Sequence, residues 1–303
     1  MEELRGRHGT WRLGPDEVRL SFSGRRVPAL LKALGSCSVP LGAIAGVDFD
    51  RGDRKHGWRM RLRLVEGADP YAGLGAAESE DLTPLLLTGP HDQELLAEYF
   101  ADQIASSARM ERETSGSPAS VDVARSLVAR VPFRARTGEG RADFDGNRVR
   151  LTWDGFFAST AKGTEEHRDY ALAEIERATW HPPVDISEGW LRIVLRGVTI
   201  AEATDISHDF FTLATHGAKG SEEAFLMAAT VNAHLAGGGG GAVAAGPGPE
   251  QIEAAPAGGG NGGNGGGGEE IFAKIRELGR LRDEGLVTDE EFAAKKTELL
   301  ARL

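Results

Sequence analysis

The chain has 303 residues, enough for one large domain or two ordinary ones, and its 41 glycines are spread too unevenly for a single compact body. A formal net charge of -11 favours solubility and argues against nucleic acid as the main partner, because phosphate binding requires a dominant basic face. Cys37 is the only cysteine, which excludes an intrachain disulfide and a cysteine-built zinc cluster and fits a reducing compartment.

Glu17 to Phe22 alternates polar and apolar residues, as a half-buried strand does. Further strands are predicted over 39–44, 47–50, 58–65 and 84–87. The period then changes: over 91–105 Leu96, Phe100 and Ile104 lie four apart, the spacing of one helix face. Residues 106–136 are polar and serine-bearing, with a short helix predicted over 121–131 that Pro132 ends. The series then repeats. The turn signal Asp145-Gly146 precedes a strand over 148–153, strands follow over 170–175, 177–180, 190–196 and 210–214, and a helix carrying Met227, Val231 and Leu235 covers 221–236.

The repetition is one of residues as well as of periods. Val18-Arg19-Leu20 and Gly24 recur as Val149-Arg150-Leu151 and Gly155, an offset of 131 that also relates Leu41, Ile44 and Phe49 to Leu172, Ile175 and Trp180. Gly57-Trp58 matches Gly189-Trp190 at 132, one residue more. Each copy is too long for a stacking solenoid unit and is a domain with its own core. Several antiparallel strands closed by one C-terminal helix predict an α+β, mostly β fold: two pleckstrin-homology-like β-barrel domains, with the helix plugging the open end of each. The boundaries are 1–108 for the first copy, 109–131 for a linker and 132–236 for the second copy.

Residues 237–268 contain Gly237 to Gly241 and Gly265 to Gly268 with three prolines between, and cannot bury a core. The runs lack the GxxxxGK[ST] pattern of a phosphate loop, so the stretch reads as a disordered tether of r.m.s. span about 30 Å. Over 269–303, Ile271, Phe272, Ile275, Leu278 and Leu281 make an apolar stripe that Gly285 ends. Thr288-Asp289-Glu290-Glu291 is then a capping box opening a second helix with Phe292, Leu299 and Leu300. A two-helix hairpin this small needs a partner to cover its apolar faces.

The run Leu278 to Leu281, Asp283 to Phe292, Lys295-Lys296 and Leu299-Leu300 resembles the SHOCT (short C-terminal) domain, with Val287 where that family often has isoleucine. The two long copies, by their Val-Arg-Leu, Gly-Trp and terminal-helix landmarks, resemble the bacterial domain-of-unknown-function family 4429. That resemblance implies a pleckstrin-homology-like fold, and the SHOCT resemblance implies assembly or partner docking. Neither implies an activity or a cofactor. In the first copy the arginines of the Gly57-Trp58 strand stand at the opposite parity from Arg192 and Arg196, which a bulge or a register shift would reconcile.

Candidate chemistry is sparse. Asp48 to Asp53 superficially resembles a calcium loop, but Arg59 stands where the closing glutamate belongs, and Asp143 to Asn147 fails because Arg148 takes the glycine position. The histidines form no HExxH pair; Cys37 reads as a small buried or half-exposed thiol; Asp205, His208 and Asp209 read as a solvated turn. No catalytic, metal or cofactor residue is assigned. Arg51, Arg54 and Lys55 form a basic loop and Arg59, Arg61 and Arg63 one face of the next strand, a stripe that could bind a lipid phosphate or an acidic partner, or be a solvated face paired with Asp48, Asp50 and Asp53. Trp58 and Trp190 are expected in the core of their copies.

The expected function is a non-enzymatic adaptor or sensor. Its tandem domains bind a protein, peptide or anionic surface, and its hairpin, through Ile275, Leu278, Leu281, Leu286, Phe292, Leu299 and Leu300, mediates oligomerisation or docks another protein. The alternative is a small-molecule-binding or enzymatic protein with a site between the copies, around 71–83 and 160–169. Met1 to Gly6 lack the pattern of a signal peptide and no apolar run approaches the roughly 18 residues of a membrane span, so the expected location is cytoplasmic, with peripheral contact to an anionic membrane left open.

Overall fold

A computed structural model describes residues 2–24, 27–74, 83–183, 188–198, 205–215, 217–236 and the single positions 288, 292 and 295. The described part is mostly β. In the first repeat β1 (Glu2–Arg5), β2 (Gly9–Leu13), β3 (Glu17–Phe22) and β4 (Ser36–Pro40) form an antiparallel four-stranded meander, with the short helix α1 (Ala29–Leu34) between β3 and β4. A 3-10 turn, Leu41–Ala43, carries the chain into a second antiparallel sheet of β5 (Ile44–Asp53), β6 (Gly57–Leu64) and β7 (Leu86–Gly89), followed by α2 (Glu94–Ser115). After α3 (Ser120–Ser126) the second repeat runs the same course. Its four-stranded sheet is β8 (Phe133–Arg136), β9 (Arg141–Phe144), β10 (Arg148–Thr152) and β11 (His167–Ala171), with α4 (Thr160–Glu165) before β11. Its three-stranded sheet is β12 (Ile175–His181), β13 (Gly189–Leu195) and β14 (Thr212–Thr215), followed by α5 (Gly217–Leu235). Each repeat thus has two separate sheets, four strands and three, rather than the closed barrel expected; the hydrogen bonding breaks at the 3-10 turns Leu41–Ala43 and Leu172–Glu174.

The strands form where alternation is strict. In β3 Val18 and Leu20 are buried and Arg19 is exposed; in β10 Val149 and Leu151 are buried and Arg148 and Arg150 exposed. Helix α2 is ten residues longer at its C-terminus than the apolar spacing indicated, ending at Ser115 instead of Ala105. Its sheet side buries Ala97, Phe100, Ala101, Ile104 and Ala108, but Leu96, expected on the same face, is 54% exposed. The stretch expected as a linker is packed: Val123, Ala124, Leu127, Val128 and Ala129 are all buried.

Repeat equivalence at an offset of 131 extends to detail. Phe22 N–H donates to Gly35 C=O (2.9 Å) and Trp153 N–H to Glu166 C=O (3.0 Å), and Gly35 and Glu166 both hold φ near +65°. Ladder register puts Met60 opposite Phe49 and Leu191 opposite Trp180, so Met60 is equivalent to Leu191, again 131 apart. The Gly-Trp match at 132 is therefore one residue out of structural register. Trp58 points inward and is fully buried, whereas Trp190 takes the outward position of Arg59 and lies half-exposed, stacked on His181 with ring centroids 4.1 Å apart. Only Trp58 fills a core, which corrects the expectation for Trp190; the arginine parity needs no bulge, because Arg61 and Arg192 occupy equivalent places.

Candidate functional site

The basic stripe assembles as expected along β6: Trp58, Met60 and Leu62 face the core, so Arg59, Arg61 and Arg63 share the other face. Opposite them, however, β5 presents acids. Asp48 pairs in register with Arg61 and Asp50 with Arg59, and Arg63 Nε donates to Asp48 Oδ1 at 2.9 Å. Arg51 reaches α2 and donates to both carboxylate oxygens of Glu98 at 2.8 and 2.9 Å. Arg54 and Lys55 occupy the exposed β5–β6 turn, where the Asp53 carboxylate accepts from the backbone N–H groups of Lys55 and His56; these contacts and the His56 ring hold the Asp53 pKa below its ordinary value. The stripe is thus an interleaved ladder of both signs. A groove of about 500 Å³ on the first sheet of repeat 2 has the same character: Arg134 and Arg141 meet Asp143, and Arg150 is bidentate to Asp169 at 2.7 and 2.9 Å, which lowers the pKa of that carboxylate.

The repeats meet through α5. Phe225 lies between Trp180 of its own repeat (centroids 4.8 Å) and Tyr71 of the first (5.6 Å), and the Tyr71 hydroxyl donates to Leu127 C=O at 2.6 Å. Glu222 accepts from Leu30 N–H at the start of α1 (3.0 Å), and Thr230 Oγ1 accepts from Ala129 N–H (3.3 Å). Burial raises the pKa of Glu222. The outer face of α5 is consequently dry: Phe225, Leu226, Met227 and Thr230 are all at most 1% exposed. Their equivalents on α2 are Glu94, Leu95, Leu96 and Tyr99, and there Leu95 is 71% and Tyr99 53% exposed. Leu95, Leu96 and Tyr99 make an uncovered apolar patch in the first turns of α2; farther along the same face Gln103, Ser106 and Ser107 intervene before the exposed Met110.

Repeat 2 also encloses an ion pair that no pattern in the sequence marked. Lys162 on α4 is fully buried; its Nζ donates to Glu139 Oε1 and Oε2 at 2.9 and 3.1 Å and to Thr212 O and Oγ1 at 3.2 Å. Glu139 also accepts from Ala214 N–H, and Trp153 Nε1 donates to Thr212 C=O at 3.0 Å. A sealed, fully hydrogen-bonded pair of this kind is structural in form, since substrate cannot reach it. The signal that could have found it is a comparison of the copies: at 131 residues before Lys162 stands Leu31, a core leucine.

Cys37 is buried and its thiol pKa is pushed up to about 12, which leaves it inert as a nucleophile. Asp205 and His208 sit exposed at a 3-10 turn as expected, but Asp209 does not belong to that solvated turn: it is 3% exposed and accepts from Arg192 Nη2 at 2.8 Å and from Phe211 N–H. Of the hairpin, Thr288, Phe292 and Lys295 are described; Phe292 and Lys295 are helical, and Phe292 N–H donates to Thr288 C=O at 2.9 Å, the first turn expected after a capping threonine. Ile275, Leu278, Leu281, Leu286, Leu299 and Leu300 lie outside the described residues, as does the tether. No helix among the described residues is long and apolar enough to cross a membrane.

Comparison with known families matches the model of the domain of unknown function DUF4429 twice, over residues 11–105 and 142–232, and the model of the short C-terminal domain, SHOCT, over residues 273–300. No curated protein matches the chain. The two DUF4429 matches together cover more than half of the chain, which therefore belongs to the DUF4429 family as a tandem member with a C-terminal SHOCT domain.

Proposed function

We propose that this tandem DUF4429 protein is a non-enzymatic adaptor. Two pleckstrin-homology-like domains form a rigid body, and the tethered SHOCT hairpin docks by packing its apolar stripe on the outer face of α2. The observation that carries the reading is the difference between two equivalent helix faces. On α5 that face is covered by α1, Tyr71 and the segment after α3; on α2 the same positions, Leu95, Leu96 and Tyr99, are open. Adjacent exposed apolar side chains on one helix face form the kind of surface that receives an amphipathic helix. The tether begins directly after α5, and its span of about 30 Å gives the hairpin a millimolar effective concentration at its own body. The pleckstrin-homology-like assignment is supported by the order of elements: a four-stranded meander, a three-stranded meander and a C-terminal helix in each repeat.

Magnitudes favour a protein surface over an anionic membrane. Arg51 and Arg63 are engaged with acids, which leaves Arg54 and Lys55 as the part of the stripe without an ion pair among the described residues. Two such cations contribute about 2 kcal/mol at an anionic surface, against the roughly 4 kcal/mol of even millimolar binding.

Hydroxyl-radical footprinting of Tyr99 and Met110 tests the docking, comparing the full chain with one ending at Ala236. Protection of both side chains in the full chain alone is the expected result, and light scattering across a concentration series then shows whether the hairpin comes from the same copy or from a second one. Equal labelling of the two chains would overturn the reading.

A further inference from the structure

The place that repeat 2 fills with its buried ion pair is a cavity in repeat 1. Ladder register makes Leu86 and Thr88 of β7 equivalent to Thr212 and Ala214 of β14, because Arg59 pairs with Thr88 as Trp190 pairs with Ala214. The offset of 131 makes His8, Phe22 and Leu31 equivalent to Glu139, Trp153 and Lys162. In repeat 2 these positions interlock: Glu139 accepts from Ala214 N–H, while Lys162 and Trp153 donate to Thr212 C=O. In repeat 1 neither Leu31 nor Phe22 can donate, and His8, Phe22, Leu31, Leu86 and Thr88 line a cavity of about 330 Å³.

Two polar groups are left at this cavity without partners. His8 Nδ1 is enclosed and has no hydrogen-bond partner. Thr88 C=O accepts from Arg7 N–H at 2.8 Å, and in an antiparallel strand the N–H of a residue points to the same side as its C=O. The Thr88 N–H is thus aimed away from β6, where the equivalent Ala214 N–H meets the Glu139 carboxylate, and no described residue supplies it with an acceptor. Arg7, whose guanidinium also donates to His56 C=O at 2.8 Å, and Arg59 line the cavity as well, and no acidic residue does among the described residues, so an anion is favoured over a cation. Phe22, Pro28, Leu31, Leu86 and Leu87 make most of the remaining wall apolar, with Thr83 as its polar member. The volume is at the lower end of the roughly 300 to 1,000 Å³ typical of ligand sites, which suits a body of a few carbons.

We propose that repeat 1 binds a small apolar monocarboxylate here, its carboxylate accepting from Thr88 N–H and from His8 in the Nδ1–H tautomer and its carbon body lying against Phe22 and Leu31. The carboxylate stands in for the one that Glu139 supplies from within the chain in repeat 2, and the site is independent of whether α2 receives the hairpin. Hexanoate and phenylacetate are the probes, titrated into the full chain with calorimetry and with the Thr88 amide followed by NMR; hexanol and acetate each lack one half of the ligand. Saturable binding of either acid is expected, with a downfield shift of the Thr88 amide proton, and binding of both controls about tenfold or more weaker, as the loss of one charge-assisted hydrogen bond or of the apolar contact requires. His8→Glu with Leu31→Lys, which builds the ion pair of repeat 2 into repeat 1, should abolish binding, and Leu31→Phe, which narrows the cavity without adding charge, should weaken it. The thermal unfolding of each variant without ligand establishes that it is folded. The proposal is overturned if neither acid binds saturably, if hexanol binds as well as hexanoate, or if a folded variant of either kind binds undiminished.

Discussion

The two repeats share their strand order, their helix positions and even an unusual backbone conformation, yet they differ wherever one of them touches something. Repeat 2 is closed on both counts: α5 is covered by repeat 1, and its interior site holds Glu139, Lys162 and Trp153. Repeat 1 is open on both: α2 exposes Leu95, Leu96 and Tyr99, and its equivalent interior site is a cavity beside His8 and Leu31. A duplicated fold thus carries its own internal control. Where equivalent positions differ in burial or in partners, the difference marks where the two copies have diverged.

The largest test of this contrast removes the ion pair. Lys162→Leu puts the residue of repeat 1 into repeat 2 and leaves Glu139 buried without its cation, which should cost about 3–5 kcal/mol in urea unfolding. Adding Glu139→Gln should recover most of that loss, since the side-chain carbonyl still accepts from Ala214 N–H and no charge remains buried. If the single variant is as stable as the parent, the pair is not the closure of repeat 2. A smaller difference is expected on the helices. Met227→Ala removes a fully buried side chain from α5 and should cost about 2–4 kcal/mol, whereas Leu96→Ala, at the equivalent place on α2, should change the stability of a chain ending at Ala236 by under about 0.5 kcal/mol. Equal losses at the two positions would mean that α2 is not open.

Much of this architecture was legible in the residues. Strands β3 and β10 were readable because Val18-Arg19-Leu20 and Val149-Arg150-Leu151 alternate without interruption, and the helices because Phe100, Ile104 and Val231 recur at helical spacing against the sheets. The first strands of each repeat were not. Gly9–Leu13, Phe133–Arg136 and Arg141–Phe144 do alternate, but over only four or five residues, too few to stand out as a period, and Glu2–Arg5 has two acids in four residues. Helices α1 and α4, six residues each, are too short to show a period. The candidate sites were harder still. A lysine is ordinarily a surface residue, so nothing local announces that Lys162 is enclosed. The exposure of Leu96 depends on what covers a helix from outside, which local spacing does not encode. The Gly-Trp landmark misled because identical dipeptides in two strands need not share a register, and a shift of one residue turns a core tryptophan outward.

The smallest effect tests the equivalence itself. Glu166 ends α4 at φ 65° and ψ -60°, and Gly35 ends α1 at φ 66° and ψ -61°. A side chain in that region is strained by roughly 1–3 kcal/mol, whereas glycine reaches it freely but loses more backbone entropy on folding, by roughly 0.5–1 kcal/mol. Strain relief outweighs the entropy term, so Glu166→Gly should stabilise the chain by about 1 kcal/mol, a rise of a few degrees at most in thermal unfolding. Gly35→Ala should do the reverse: a Cβ there would meet no atom within 4 Å, so the loss would report the backbone alone. Opposite signs of similar size would show that both repeats impose the same turn whichever residue occupies it, and that the duplicated backbone, not the local sequence, sets the conformation. A Glu166→Gly variant that is no more stable than the parent would instead mean that α4 relaxes at its end, and the close correspondence of the two copies would stop short of Lys162 and its ion pair.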